Sequence, residues 1–528
     1  MGVPFSMDDA RAALADAQGV VDTCVKRLVA DGAVETEQVI AYDLAHAAAA
    51  VACAKAAADY GERGEIEASL ATVFIADAVY DVAMRVTGRE SLWGADPGVL
   101  DKALRITAGG RDPGFMASLV GEQGPRHLEG DMELVTDTFR RFAEDRIRPA
   151  AEHIHRTNSD IPEEIIGGIA ELGAFGLSVP DEYGGWATGD ENEYMSMVVA
   201  TEELSRGSLG AGGSLITRPE ILARALVAGG TEEQKHEWLP KLASGEIMAA
   251  VAVTEPDFGS DSGGVKTSAT RDGDDYVING VKTWCTFGAR ADVLMLMART
   301  GSEAKHRGLS LFVVPKDRGE GHGFEQSQPG GGKLEGRPID TIGYRGMHSY
   351  EISFDAWRVP SANLIGGEGG LNKGFYMQMK GFENGRLQTA ARAIGVMQAA
   401  YEAALDYSQN RVIFERPLSE YQLTQVKLTK MAAIIQAARQ FSYQVAKLMA
   451  SGRGAMEASL VKAYVCRAAE WVTREALQIH GGMGYAEEFP VSRYFVDARV
   501  LSIFEGADEL LAFRVILPFL VNPDRLNK

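Results

Sequence analysis

Tyr276-Val277-Ile278-Asn279-Gly280-Val281-Lys282-Thr283-Trp284-Cys285-Thr286 follows a turn signal, Asp272-Gly273-Asp274-Asp275. A short, partly alternating apolar run after such a turn predicts one arm of a β-hairpin. Working outward, similar runs recur at Val293 to Ala298 and Leu309 to Val314, bounded by Gly, Asp and Asn. From about Ala249 to Val359 the period is that of strands, and the block reads as a β domain.

On both sides the period is helical. Ala47 to Ala58 is alanine-dense, Glu67 to Val86 is apolar at helical spacing, and Gln388 to Ser408 and Tyr421 to Ala450 are long helical stretches. Thr231 before Glu232-Glu233-Gln234 predicts an N-cap. Gly109-Gly110 and Pro113-Gly114 predict a linker. The expected division is an N-terminal helical extension over 1–125, a helical domain over 126–248, a β domain over 249–365 and a helical domain over 366–528. Helical blocks around one antiparallel β block define an α+β class with segregated layers. Gly64-Glu65-Ile66-Glu67-Ala68-Ser69-Leu70 also echoes Gly454-Ala455-Met456-Glu457-Ala458-Ser459-Leu460. Either the extension is a degenerate copy of the last domain, or two alanine-rich helices share a chance match.

The 528 residues carry a net charge of −20, which argues against nucleic acid or an anionic membrane surface as partner. Cys24, Cys53, Cys285 and Cys466 are scattered, with neither disulfide nor metal-ligand spacing. That pattern predicts a reduced, cytoplasmic setting and no metal site. Cys285 reads as a small core residue. The first residues carry acids among alanines and lack the form of a signal peptide, and no run approaches a membrane span.

Two stretches carry chemistry in the β domain. Val253-Thr254-Glu255-Pro256-Asp257-Phe258-Gly259-Ser260-Asp261 offers hydroxyls and backbone donors at a turn, and Trp284 stands two residues from Thr286. An aromatic face beside a hydroxyl suits a flat ring with polar edges. Each piece alone reads as a packed β-turn. Together they resemble the acyl-CoA dehydrogenase family, the first its TEPxxGSD signature and the second its NGxKxWxT pattern. Arg411-Val412-Ile413-Phe414-Glu415-Arg416-Pro417, Gln478-Ile479-His480-Gly481-Gly482-Met483-Gly484-Tyr485 and Phe504-Glu505-Gly506 complete the family's order over about Asp131 to Pro518.

The resemblance implies that fold: a helical N-terminal domain, a central antiparallel β domain and a C-terminal four-helix domain, with the extension added. It implies FAD as cofactor, held at Val253, Thr254, Ser260, Trp284 and Thr286. Arg411, Phe414, Gln422, Gln478 and Gly482 would hold the ADP end in a neighbouring subunit, so a homodimer or homotetramer is expected. It makes Glu505 the catalytic base for α,β-dehydrogenation of an acyl-CoA, with an electron-transfer flavoprotein as acceptor. Gly385 stands where some relatives carry the base, Glu383 is a rival two residues earlier, and Arg386 keeps the arginine beside that position. Ala507 and Glu509 depart from the family pattern, which puts two cofactor contacts in doubt.

For the acyl group, Arg206 and Arg218 offer cations near the β domain, and a buried arginine needs an anionic partner. Either could equally face solvent or pair with a nearby glutamate. The extension, Arg337 to Ser349 and Gly381 to Arg386 resemble the branch of the family that oxidises (2S)-methylsuccinyl-CoA to mesaconyl-CoA in the ethylmalonyl-CoA pathway. That implies a short, branched dicarboxylyl substrate, with Ser260, Arg206, Arg218 and Arg386 as substrate-side candidates. The alternatives are another short-chain or dicarboxylyl dehydrogenase, or a flavoprotein that binds acyl-CoA without dehydrogenating it.

Overall fold

A computed structural model describes residues 2–303, 305–319 and 322–522. The chain forms two compact units, one of Met1–Glu133 with Arg386–Lys528, the other of Leu134–Gly385.

The second unit holds the β domain. Strands β1 (Ala249–Ala252), β2 (Ser268–Asp272), β3 (Asp275–Thr286), β4 (Val293–Arg299), β5 (Leu309–Pro315), β6 (Phe324–Ser327), β7 (Lys333–Ile339) and β8 (Ser349–Pro360) form one sheet, ordered β1-β4-β2-β3-β8-β7-β6 with β5 on β4. The predicted hairpin is present: Asp272 pairs with Asp275 around Gly273, whose φ of +64° suits glycine. The sheet is antiparallel except at one side, where β1 runs parallel to β4 and β2 meets β4 at a single parallel pair. The core of this unit lies where helices Arg218–Gly229 and Glu232–Ser244 cover β1, β4 and β5. Leu222, Leu226, Leu239 and Leu242 pack there with Val293, Met295, Leu311 and Val313. Thr231 caps the second helix as predicted: its Oγ1 accepts from the Gln234 N–H, and the Gln234 side chain accepts from the Thr231 N–H at 3.0 Å.

The first unit joins chain ends that lie far apart in sequence. The extension supplies α1 (Met7–Ala30), α2 (Gln38–Gly61) and α3 (Glu65–Val86); α2 packs on both neighbours and on helices Gln422–Ala450 and Ala455–His480. Alanine faces let these helices approach closely, and α2 buries residues around most of its circumference. Helix α2, 24 residues long, is apolar enough on average to cross a membrane by length and composition, yet it contains no continuous apolar run of that length, and 72% of its most apolar stretch is buried inside the structure. The expected linker at Gly109 to Gly114 is corrected. Residues Ala108–Arg111 and Pro113–Ser118 are helical, and a Cβ at Gly110 would meet the Thr72 carbonyl at 2.3 Å. The echo has a structural counterpart, since Gly64 and Gly454 each stand at the N-cap of a long helix. Their backbones differ: Gly64 is extended, whereas Gly454 has φ +96°.

A buried ion pair locks the turn after β1 to β3. Lys282, fully buried, donates to the Val253 carbonyl at 2.9 Å and to Glu255 Oε1 at 2.8 Å. Glu255 also accepts the N–H groups of Lys266 and Thr267 at 2.7 and 2.8 Å. Burial pulls Lys282 below the ordinary lysine range, opposed by Glu255. Burial pushes the carboxyl up, yet Lys282 and the donors on Glu255 outweigh it and hold it below the usual carboxylate range. Lys282→Met is expected to destabilise the protein by about 3–5 kcal/mol in urea unfolding, because Glu255 is left buried without its counter-charge. Adding Glu255→Gln should recover part of that loss.

Candidate active site

In the second unit, one element places both residues expected to face the ring. The pairing of β3 with β8 slips between Lys282 and Cys285, a bulge that adds one residue to β3. Trp284 sits in it at φ +57°, 56% exposed, an unusual state for so large an aromatic. Just beyond, Thr286 Oγ1 lies 3.1 Å from Ser349 Oγ. The Thr283 N–H donates to the Thr254 carbonyl at 2.8 Å, so the Thr254 turn and the Trp284 bulge are tied directly. Val253 is buried, Thr254 half-buried and Ser260 exposed. Cys285 faces the core, where burial pushes its thiol up to about 12, which suits packing and not nucleophilic attack.

In the first unit, Glu505 sits at φ +54° and Gly506 at φ +98°, in a tight loop after helix Val491–Leu501. The loop is closed by the Asp508 N–H to the Ser502 carbonyl at 3.1 Å and by Ser502 Oγ to Glu470 at 2.6 Å. Lys462, 1% exposed, reaches it from helix Ala455–His480 and donates to the Gly506 carbonyl at 2.6 Å. Burial pulls Lys462 below the usual lysine range, against the pull of Cys466 and Glu505. Glu505 Oε2 is buried and has no hydrogen-bond partner among the described residues. A buried carboxylate oxygen left open is costly unless something else uses it. The side chain of Glu383, the rival base, lies outside the described residues.

The residues expected at an ADP end are all exposed on the first unit. Phe414, 89% exposed, and Glu415 form the tip of a two-residue hairpin between β9 (Val412–Ile413) and β10 (Arg416–Pro417), with φ +44° and +70°. Such a turn normally takes Asn or Gly, so it is strained. Tyr421 braces it, donating to the Ile413 carbonyl at 2.8 Å. Arg411, Gln422, Gln478 and Gly482 are exposed as well.

The arginines expected on the substrate side differ in their partners. Arg206 pairs with Glu144. Arg386 donates to Ser459 Oγ at 3.3 Å. Arg218 is 6% exposed and donates to the Ser214 carbonyl at 3.1 Å and to Thr217 Oγ1 at 3.2 Å, with no carboxylate within ion-pair distance among the described residues.

An exposed tryptophan on a strained bulge beside a hydroxyl pair fits a flat isoalloxazine ring, and the open carboxylate fits a base. The chain matches three family profiles: acyl-CoA dehydrogenase N-terminal domain over residues 130–246, middle domain over 250–357 and C-terminal domain over 372–516. It belongs to the acyl-CoA dehydrogenase family and is an FAD-dependent oxidoreductase acting on an acyl-CoA. Among its relatives, it is 41% identical over 471 residues to the (2S)-methylsuccinyl-CoA dehydrogenase of Cereibacter sphaeroides, covering 86% of this chain and 84% of that one. Residues 131–528 alone cannot hold such a match, so it runs into the extension. A chain of the solved structure described as the electron transferring flavoprotein of Acidaminococcus fermentans aligns with TM-score 0.68 and 30% identity, over 76% of this chain and all of that one. A glutaryl-CoA dehydrogenase from Mycobacterium smegmatis in complex with FADH2 aligns with TM-score 0.65 and 27% identity, over 76% of this chain and 96% of that one.

Sequence reasoning passed over Lys282 and Lys462. A signal was present in both cases, a lone lysine within an otherwise apolar run. Lys462→Met is expected to lower stability by about 1–3 kcal/mol in thermal or urea unfolding, because the Gly506 carbonyl loses its donor.

Proposed function

We propose that this chain dehydrogenates a short, branched dicarboxylyl-CoA, (2S)-methylsuccinyl-CoA, to mesaconyl-CoA. The observation that carries the substrate is the match to the Cereibacter enzyme, which extends into the N-terminal helices. Arg218 supports it physically. A cation this buried, whose partners among the described residues are neutral, gains most from an anionic group, and the free carboxylate of a dicarboxylic acyl chain supplies one. Arg206 is less suited, being already matched by Glu144.

Glu505 is the proposed base. Its open Oε2 accepts the α-proton of the thioester as the double bond forms toward the β-carbon. FAD, when bound, supplies the two-electron acceptor for the hydrogen lost from the β-carbon. Trp284 offers a face for the ring, Thr286 a hydroxyl for its polar edge, and Val253, Thr254 and Ser260 line the same turn. Arg411, Phe414, Gln422, Gln478 and Gly482 hold the ADP end of a neighbouring subunit's cofactor, in a cytoplasmic homodimer or homotetramer. An electron-transfer flavoprotein takes the electrons onward.

Glu505→Gln should retain its yellow cofactor while turnover falls by about 10²–10⁴-fold, the usual contribution of a positioned base, in a dye-linked assay. Near-normal turnover would move the base elsewhere. Arg218→Ala should impair methylsuccinyl-CoA far more than butyryl-CoA, and equal loss with both would reject the carboxylate clamp.

A further inference from the structure

The loop that carries Glu505 is also held by the N-terminal extension. Tyr42 on α2 donates its hydroxyl to Asp508 Oδ2, across 466 positions of sequence. His46, one turn further along α2 and buried, brings Nε2 to 3.2 Å from the same oxygen, a close polar approach without the geometry of a hydrogen bond. The two rings pack edge to face, 4.4 Å between centroids. Arg467 completes the surroundings, its Nε 4.0 Å from Asp508 Oδ2 and its guanidinium 5.9 Å from the Tyr42 ring. Asp508 stands three residues after Glu505, and its N–H closes the loop onto Ser502. Ala507, the residue between Gly506 and Asp508, has no side-chain hydrogen-bonding group with which to tie the loop itself.

The mechanical consequence follows from the backbone. Glu505 occupies a left-handed conformation that a non-glycine residue keeps only when its surroundings over-determine it. Lys462 fixes one end of the loop at the Gly506 carbonyl. The other end is fixed through the Asp508 side chain, and its partners Tyr42 and His46 both come from α2. A catalytic group must be held to within a fraction of an ångström, and misplacement by about 1 Å costs on the order of 10²-fold in rate.

We propose that the extension is part of the catalytic apparatus: Tyr42 and His46 are positioning residues that hold Asp508, and through it the loop presenting Glu505. The inference rests on the assignment of Glu505 as the base, so both are tested together in the full-length, FAD-loaded protein. Tyr42→Phe keeps the ring and removes only the hydroxyl. Anaerobic bleaching of the flavin by methylsuccinyl-CoA should slow by about 10–100-fold, with kcat falling alongside, while KM stays within about twofold and FAD content is unchanged. His46→Leu, which removes Nε2, should show the same split and serves if Tyr42→Phe is poorly folded. Glu35→Ala is the control. It removes a second contact between the extension and the C-terminal helices, the 3.0 Å bond from Arg514, and should bleach at the parent rate.

A parent-like bleaching rate in Tyr42→Phe and His46→Leu overturns the proposal. So does an equal slowing in Glu35→Ala, which would mean that general docking matters and the loop contact does not. Glu505→Gln, run in parallel, separates the two layers. Normal bleaching there removes the base assignment and this inference with it, whereas a silent Glu505→Gln beside a normal Tyr42→Phe removes this inference alone.

Discussion

The second unit depends on one buried charge pair. Lys282 and Glu255 lie in two sequence motifs that would otherwise be independent, and each needs the other to be tolerated in the interior. Because Lys282 also holds the Val253 carbonyl and Glu255 holds two backbone N–H groups, the pair fixes a turn and a strand in a single register. The bulge that turns Trp284 outward begins directly after Lys282. Buried pairs of this kind often contribute little net stability compared with an apolar replacement of both partners. This one ties the turn and the strand that flank it.

The first unit repeats the device with different parts. Lys462, as buried as Lys282, spends its charge on a backbone carbonyl next to a residue in a left-handed conformation. In both units a buried lysine ammonium donates to a backbone carbonyl of a short loop. Four of the non-glycine positions with positive φ among the described residues, Trp284, Phe414, Glu415 and Glu505, fall within motifs singled out for chemistry. Strain of this kind persists where packing over-determines it, which is what the two lysines and the Tyr421 brace accomplish.

Much of this was legible in the sequence, for reasons of range. The hairpin at Gly273, the Thr231 cap and the strand and helix periods depend on neighbours within a few residues, and those could be read directly. The motif residues could be listed, and the resemblance gave each a role. The partners could not be read. Arg206 meets Glu144 and Lys282 meets Glu255 only after the chain has folded, so which arginine keeps only neutral partners among the described residues is invisible in one dimension. The parallel pairing of β1 with β4 was missed for the same reason, since β1 is four residues long and nothing within it encodes strand direction. Gly110 read as a breaker because glycine serves both loops and close contacts, and only the nearby Thr72 carbonyl decides between them.

The discontinuity of the first unit has a consequence for synthesis. Helix α2 ends at Gly61, and the long helices it packs against begin at Gln422. At roughly 5–20 residues per second, translation leaves about 20–70 s between the emergence of one and the other. During that interval an alanine-rich helix long and apolar enough on average to cross a membrane is covered by its neighbours within the extension, chiefly α1 and α3.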